Sequence, residues 1–139
     1  MEVRRYRIDL LPHFIAHYGI NMKTTKTPTP AEMYEQYIVP ATFIPWTPVL
    51  VEKAAPKPGE HVLDLACGTG IVARHVAPLI GKEGHLVGID ISPDMLNVAR
   101  NLPAPEGADI EWIEADGTST SLPDDSFDLV ICQQGLQFF

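Results

Sequence analysis

Long apolar runs, cysteines and positive charge are what this sequence has little of. No run approaches the roughly 18 residues of a membrane span, so no membrane partner is expected. Two cysteines, Cys67 and Cys132, are too few for a disulfide framework, and a reducing, cytoplasmic home is expected. Lys and Arg number 10 against 18 Asp and Glu, a formal charge of −8, which argues against nucleic acid as a partner. What remains is 139 residues, 45% hydrophobic and 20% charged, the composition of one globular domain with an ordinary core.

The positive charge is local. Residues 1 to 26 hold Arg4, Arg5, Arg7, Lys23 and Lys26 against Glu2 and Asp9; this +3, set against −8 overall, leaves −11 for the remainder. Ile8, Leu11, Ile15 and Tyr18 have helical spacing, with Pro12 among them. Asp9, His13 and His17 interrupt any secretory apolar stretch. A short basic helix, docked on the domain or frayed, is expected, with a transit peptide as the alternative. Residues 1–30 are therefore read as a basic extension and linker, and residues 31–139 as the domain. Seven of the 13 prolines fall between 27 and 58. Thr27 to Pro30 reads as extended linker. Ala31 to Val39 reads as a short helix stopped before Pro40. Trp46, Val49, Leu50 and Ala54 form the candidate apolar face of the next segment.

The organising stretch is Val62-Leu63-Asp64-Leu65-Ala66, an apolar strand that breaks into Cys67-Gly68-Thr69-Gly70 and opens a helix. Glycines let the backbone turn sharply and approach a ligand, and a helix start offers free N–H groups and partial positive charge. Together they make a nucleotide-type binding corner. Asp64 is discordant, since an unpaired buried carboxylate is costly; it is expected to face the turn and find a donor there. Ile71 to Ile80 reads as a helix with Ile71, Val72, Val76 and Leu79 inward, and Pro78 kinking or ending it. His85 to Ile89 is continuously apolar, as in a parallel strand buried on both faces. It ends in Asp90, placed to bind both hydroxyls of a ribose; Ser92-Pro93 already supplies the next helix's cap and first residue. Met95, Leu96, Val98, Ala99 and Leu102 give that helix its buried stripe. Ile110 to Ala115 alternates like an edge strand, and Asp116-Gly117 follows it. Phe127 to Cys132 reads as a further buried strand that delivers Gln133 and Gln134 to the same edge.

The string D-L-A-C-G-T-G, with Asp90 in Gly88-Ile89-Asp90-Ile91-Ser92 twenty residues beyond Gly70, resembles the class I S-adenosylmethionine-dependent methyltransferases. It is similar to their small-molecule branch, the ubiquinone/menaquinone C-methyltransferases, from about Ala31 to Phe139. The resemblance implies a Rossmann-like parallel α/β sheet in the order 3-2-1-4, with flanking helices and N-terminal helices before it. It implies S-adenosylmethionine as cofactor and a small-molecule methyl acceptor. The implied cofactor-binding set is Asp64, Ala66, Cys67, Gly68 and Gly70 at the corner, with Asp90, Ile91 and Met95 after the second strand. Asp116 and Gly117 would hold the adenine, a plain Asp-Gly turn being the alternative, and Gln133 would border the methionine. Tyr34, Tyr37, Phe43 and Trp46 are candidate lid residues, ordinary packing being the alternative. No catalytic base and no metal are assigned: His13, His17, His61, His75 and His85 are scattered, and Cys67 and Cys132 are expected to be buried, unreactive thiols.

Gly68-Thr69-Gly70-Ile71-Val72-Ala73 also fits the dinucleotide pattern G-x-G-x-x-G/A, so an NAD(P)-binding oxidoreductase is the rival. An acidic edge formed by Asp64, Asp90 and Asp116 suits a sulfonium cation and repels a pyrophosphate. Family members continue past the fourth strand, whereas this sequence stops at Phe139. A truncated, non-catalytic domain acting through partner contacts is therefore a further alternative. The fourth strand would lie at an open edge, with Leu136, Phe138 and Phe139 lacking partners, so a homodimer or larger is expected.

Overall fold

The computed structural model describes residues 27–139. The expected basic helix with Ile8, Leu11, Ile15 and Tyr18 lies outside the described residues, as do His13 and His17. Thr29 opens α1 (Pro30–Met33): its hydroxyl accepts the Glu32 N–H at 3.2 Å, and Glu32 Oε2 accepts the Thr29 N–H at 2.6 Å. That reciprocal pair, with proline at the first helical position, is a capping box. The helix then widens into a π-helix, Tyr34–Phe43, closed by the Ile44 N–H bonding the Val39 carbonyl at 3.0 Å. The expected stop before Pro40 is therefore corrected, because Pro40 sits inside this segment. A proline ring strikes the carbonyl four residues back in an α-helix, and the wider i→i+5 turn moves that carbonyl away.

Helix α2 (Thr47–Ala54) buries Thr47 and Val51 and packs Leu50 and Ala54 onto the core, the i, i+3, i+4, i+7 stripe. Trp46 and Val49, expected on that face, are 63% and 47% exposed. Strand β1 (His61–Leu65) leads through the glycine turn into α3 (Ile71–Ile80). There Val72, Ala73, Val76, Ala77 and Ile80 are buried, while Leu79, expected inward, is 47% exposed. Small Ala73 and Ala77 take the inward positions and let the helix sit close to the sheet. Pro78 does not end α3, which continues to Ile80. Strand β2 (His85–Asp90) is followed by α4 (Pro93–Asn101), capped by Ser92 and burying Leu96 and Ala99. Met95, Val98 and Leu102 are half-buried at its margins.

Strands β3 (Ile110–Glu114) and β4 (Leu129–Ile131) complete a parallel sheet in the order β3-β2-β1-β4. This is the order expected from sequence. Helices α2 and α3 cover one face with Val51, Val62, Val72, Val76, Ile80, Leu86 and Ile131. On the other face Leu63, Val87 and Ile89 meet Ile113, Leu122 and Phe127. The fourth strand is shorter and less buried than expected. Val130 is 53% exposed, and Asp128 instead brackets the start of β1, exchanging backbone and carboxylate bonds with His61 at 2.8 Å.

Trp112 on β3 fixes how closely turn and sheet can approach. Its ring fills the space where a Cβ on Gly70 would lie, and a Cβ on Gly88 would stand 2.5 Å from Trp112 Cζ3. The indole is rigid, so Gly88→Ala forces strand β2 or the ring to shift. We expect a loss of about 1–3 kcal/mol in urea denaturation, the range for overpacking a core. Trp112→Leu in the Gly88→Ala background should recover part of the loss relative to Trp112→Leu alone. Additive losses in the double variant would show that the indole is not the obstruction.

Candidate functional site

The turn after β1 is built from strained and permissive backbone. Ala66 has φ 56° and Gly68 φ 55°, and Gly70 opens α3 at φ 83°. Asp64, 2% exposed, finds its donor there: its Oδ2 accepts the Ala73 N–H at 2.9 Å, within the first turn of α3. Burial pushes its carboxyl up to about 7; the nearby Asp90 charge adds to this, while the Ala73 N–H and Arg74 oppose it. Asp90 crosses from β2 to the same turn. Its Oδ2 accepts the Gly68 N–H at 2.7 Å and its Oδ1 the Ser92 N–H at 2.9 Å. It does not cap α4; the Ser92 hydroxyl does, accepting from the Met95 N–H at 3.3 Å.

These groups line a cavity of about 430 Å³ along the C-terminal edge of the sheet. Of the residues proposed from sequence, Asp64, Ala66, Cys67 and Gly68 form one wall. Asp90, Ile91 and Met95 form the second, and Asp116, Gly117 and Gln133 the far side. Gly70 is the exception: it does not line the cavity, and its place is packing beneath Trp112. Asp116 lies on the wall as part of a turn, its Oδ1 accepting the Thr118 N–H at 2.8 Å and the Thr118 hydroxyl at 2.7 Å. Those two bonds hold its carboxyl below the usual range. Cys67 borders the cavity, and burial pushes its thiol far up, so it stands as an inert thiol. Cys132 does not line the cavity; burial likewise raises its thiol.

Tyr34 and Phe43 roof the cavity, their ring centroids 5.7 Å apart. The other lid candidates, Tyr37 and Trp46, are 56% and 63% exposed and do not reach it. Burial, with Asp90 and Glu35 nearby, pushes the Tyr34 phenol up to about 12, so it stands as a neutral donor. None of the described histidines lines the cavity. His61 and His85 stack edge-on at the opposite end of the strands, and His75 bonds the Ile71 carbonyl. Among the described residues, no group of three or more His, Cys, Asp or Glu could hold a metal ion.

Sequence reasoning passed over Thr69, Ser92, Thr118 and Phe139, which all line the cavity. Thr69 is 1% exposed and its hydroxyl has no partner among the described residues. Its position between two turn glycines was the available signal. The expectation that Phe139 lacks a partner is corrected, since its ring packs where a Gly117 Cβ would stand, 2.9 Å away. Leu136 and Phe138 are exposed at 69% and 81%, Phe138 at the cavity rim.

Comparison with known proteins gives a consistent picture. Residues 62–139 match the profile of a family described as a methyltransferase domain. A ubiquinone/menaquinone biosynthesis C-methyltransferase from Coxiella burnetii is 35% identical over 94 residues, 66% of this chain and 38% of that protein. A 2-phytyl-1,4-naphtoquinone methyltransferase from Synechococcus elongatus is 36% identical over 94 residues, 66% of this chain and 40% of that protein. The chain thus spans about two fifths of the length of the curated relatives it matches. A TehB-like SAM-dependent methyltransferase from Corynebacterium glutamicum superposes with a TM-score of 0.56 over 77% of this chain and 56% of that one. At 21% identity, that likeness shows a shared fold.

The buried Asp64 gives a testable pH dependence. The native carboxyl keeps its proton to about 7, whereas the unfolded chain releases it near 3.8. Stability from this group is therefore complete below pH 3.8 and falls as pH rises towards 7. Asp64→Asn keeps an oxygen for the Ala73 N–H and removes the charge. Urea denaturation should show the variant more stable than wild type at pH 8 by more than about 1 kcal/mol, and little different at low pH. An equal difference at pH 4 and pH 8 would exclude the titration.

Proposed function

Because the chain belongs to the methyltransferase-domain family, we propose that its cavity binds S-adenosylmethionine for methyl transfer to a small-molecule acceptor. The observation that carries this reading is the Asp64 carboxylate seated on the Ala73 N–H at the start of α3. In a dinucleotide site a pyrophosphate takes the amides at that helix start. Here the Asp64 carboxyl takes one of them, the Ala73 N–H, and the Asp90 and Asp116 carboxylates line the same cavity, so an anion is disfavoured and a sulfonium and ammonium are attracted.

In this reading Asp90 accepts from the ribose hydroxyls, its orientation already set by the Gly68 and Ser92 N–H groups. Asp116 and Gly117 meet the adenine, Ile91 and Met95 flank it, and Gln133 borders the methionine end. When bound, the cofactor supplies an activated methyl and its leaving group. The chain's own residues orient it in the corner and keep water from it beneath Tyr34 and Phe43. The quinones in the names of the curated relatives, together with the aromatic rim, favour a flat, largely apolar acceptor. A cytoplasmic setting fits Cys67 and Cys132 as free thiols. No helix among the described residues is long and apolar enough to cross a membrane.

S-adenosylhomocysteine should raise the melting temperature and NAD should not, because only a ligand of the native state stabilises it by mass action. Stabilisation by NAD alone would favour the oxidoreductase. Asp90→Ala removes charge-assisted bonds to the ribose, so calorimetry should show affinity at least about tenfold weaker. Unchanged affinity in the folded variant would remove the ribose role.

Self-association is proposed through the outer strand β4, where Val130 is 53% exposed, with Leu136 and Phe138 beside the cavity rim. Light scattering on dilute protein should give a dimer or larger, and Val130→Lys should shift it towards monomer. A stable wild-type monomer excludes this contact.

A further inference from the structure

One half-buried side chain outside the cavity wall reaches both the roof and the turn. Arg74 on α3 donates through Nη1 to the Thr69 carbonyl, between the two turn glycines. Through Nη2 it meets Glu35 Oε1 at 3.3 Å on the π-helix, next to Tyr34 of the roof. The pair is largely withdrawn from water, the side chains being 16% and 22% exposed. Burial alone disfavours the guanidinium's charge, and Glu35, Asp64 and Cys67 oppose that.

A surface ion pair holds little in place, whereas breaking a buried one leaves an uncompensated charge. Its planar fork lets arginine hold two acceptors at once, which an ammonium cannot do with the same geometry. On the cavity side of the turn, the Thr69 hydroxyl is buried without a partner, and so is the second oxygen of Glu35, among the described residues. The junction therefore carries unspent hydrogen-bonding capacity where turn and roof meet. At the other end, the Thr47 hydroxyl sits 2.8 Å from the Gln133 side chain on the cavity wall. Residues 34–47 are thus held at both ends by polar ties, with Tyr34 and Phe43 spanning the cavity between them.

We infer that Arg74 is a positioning residue: through Glu35 and the Thr69 carbonyl it couples the roof helix to the glycine turn, so that cofactor binding and roof closure are linked. The coupling rests on the cofactor reading above, while the tie itself does not. Linkage is reciprocal, so whatever the cofactor gives the roof in stability, a closed roof returns in affinity. An acceptor site that includes Tyr34 and Phe43 is then completed when the cofactor is bound.

The test uses Glu35→Gln, Arg74→Lys, the double variant, and Val76→Ala as a control that weakens the core of the same helix. Hydrogen exchange in residues 34–43 of ligand-free protein reads the tie; calorimetry with S-adenosylhomocysteine reads the coupling. We expect faster roof exchange in Glu35→Gln and Arg74→Lys, and S-adenosylhomocysteine affinity about fivefold or more weaker in each. The double variant should be no worse than the weaker single one, because both remove the same link. Val76→Ala should lower the melting temperature and leave affinity and the roof's response to ligand as in wild type. Unchanged roof exchange in both single variants overturns the tie, as do multiplying losses in the double variant. Faster exchange together with no S-adenosylhomocysteine binding by wild type would instead overturn the cofactor reading, and with it the coupling.

Discussion

A single carboxylate inside an apolar strand governs this structure. Asp64 lies between Leu63 and Leu65 on β1, where burial opposes its charge, and the Ala73 N–H is the donor that makes it tolerable. That bond fixes where α3 begins relative to β1, and so fixes the length and path of the turn between them. Residues 66 to 70 must cover the gap, and Ala66, Gly68 and Gly70 do so at positive φ. The turn in turn presents the Gly68 N–H to Asp90, which ties β2 to the same corner. Two carboxylates on adjacent strands are thereby held by backbone donors rather than by lysines or arginines. Each retains acceptor capacity towards the cavity.

Packing supports the corner from below. Trp112 lies on β3, the strand beyond β2, yet its ring reaches under Gly88 and Gly70. It fills the space that side chains on those two glycines would have taken. Gly70 therefore serves the site at one remove: it lets α3 start close to the sheet, which keeps the Ala73 N–H within reach of Asp64. Above the corner, the π-helix brings Tyr34 and Phe43 over the cavity while its other aromatic, Tyr37, faces solvent.

The parallel sheet was legible because its two central strands are apolar runs, β1 broken only by Asp64 and β2 ending at Asp90. The strand order came with the family resemblance, and the register observed across β1 and β2 places Asp64 opposite Gly88. The errors lie where long-range packing overrode a local signal. Leu79 and Val49 are apolar by type but 47% exposed, while the smaller Ala73, Ala77 and Thr47 are buried. Pro40 signals a stop only for an α-helix, and nothing in the local sequence announces a π-helix. Gly70 read as a ligand contact because the motif's glycines look alike in sequence; only Trp112, 42 positions away, separates packing from contact. Thr69 was flagged only by its place between two turn glycines, since an unpartnered hydroxyl is a property of three-dimensional surroundings.

The two sides of the cavity are made in different ways, and this bears on what each can do. On the corner side, the polar groups are fixed by backbone bonds of 2.7 to 2.9 Å to the glycine turn and helix starts. Groups held so rigidly suit a ligand that must be recognised identically every time, as a cofactor is. The roof and rim are aromatic rings, Tyr34, Phe43, Phe138 and Phe139, carried on a π-helix and a short 3₁₀ turn. Rings give apolar area and shape with few directional demands. The polar groups of the corner thus lie along the edge of an open α/β sheet. The aromatic groups lie on segments attached to it by a few polar contacts. Under the proposed function, the corner is the part that recognises the cofactor and the roof the part that meets the acceptor.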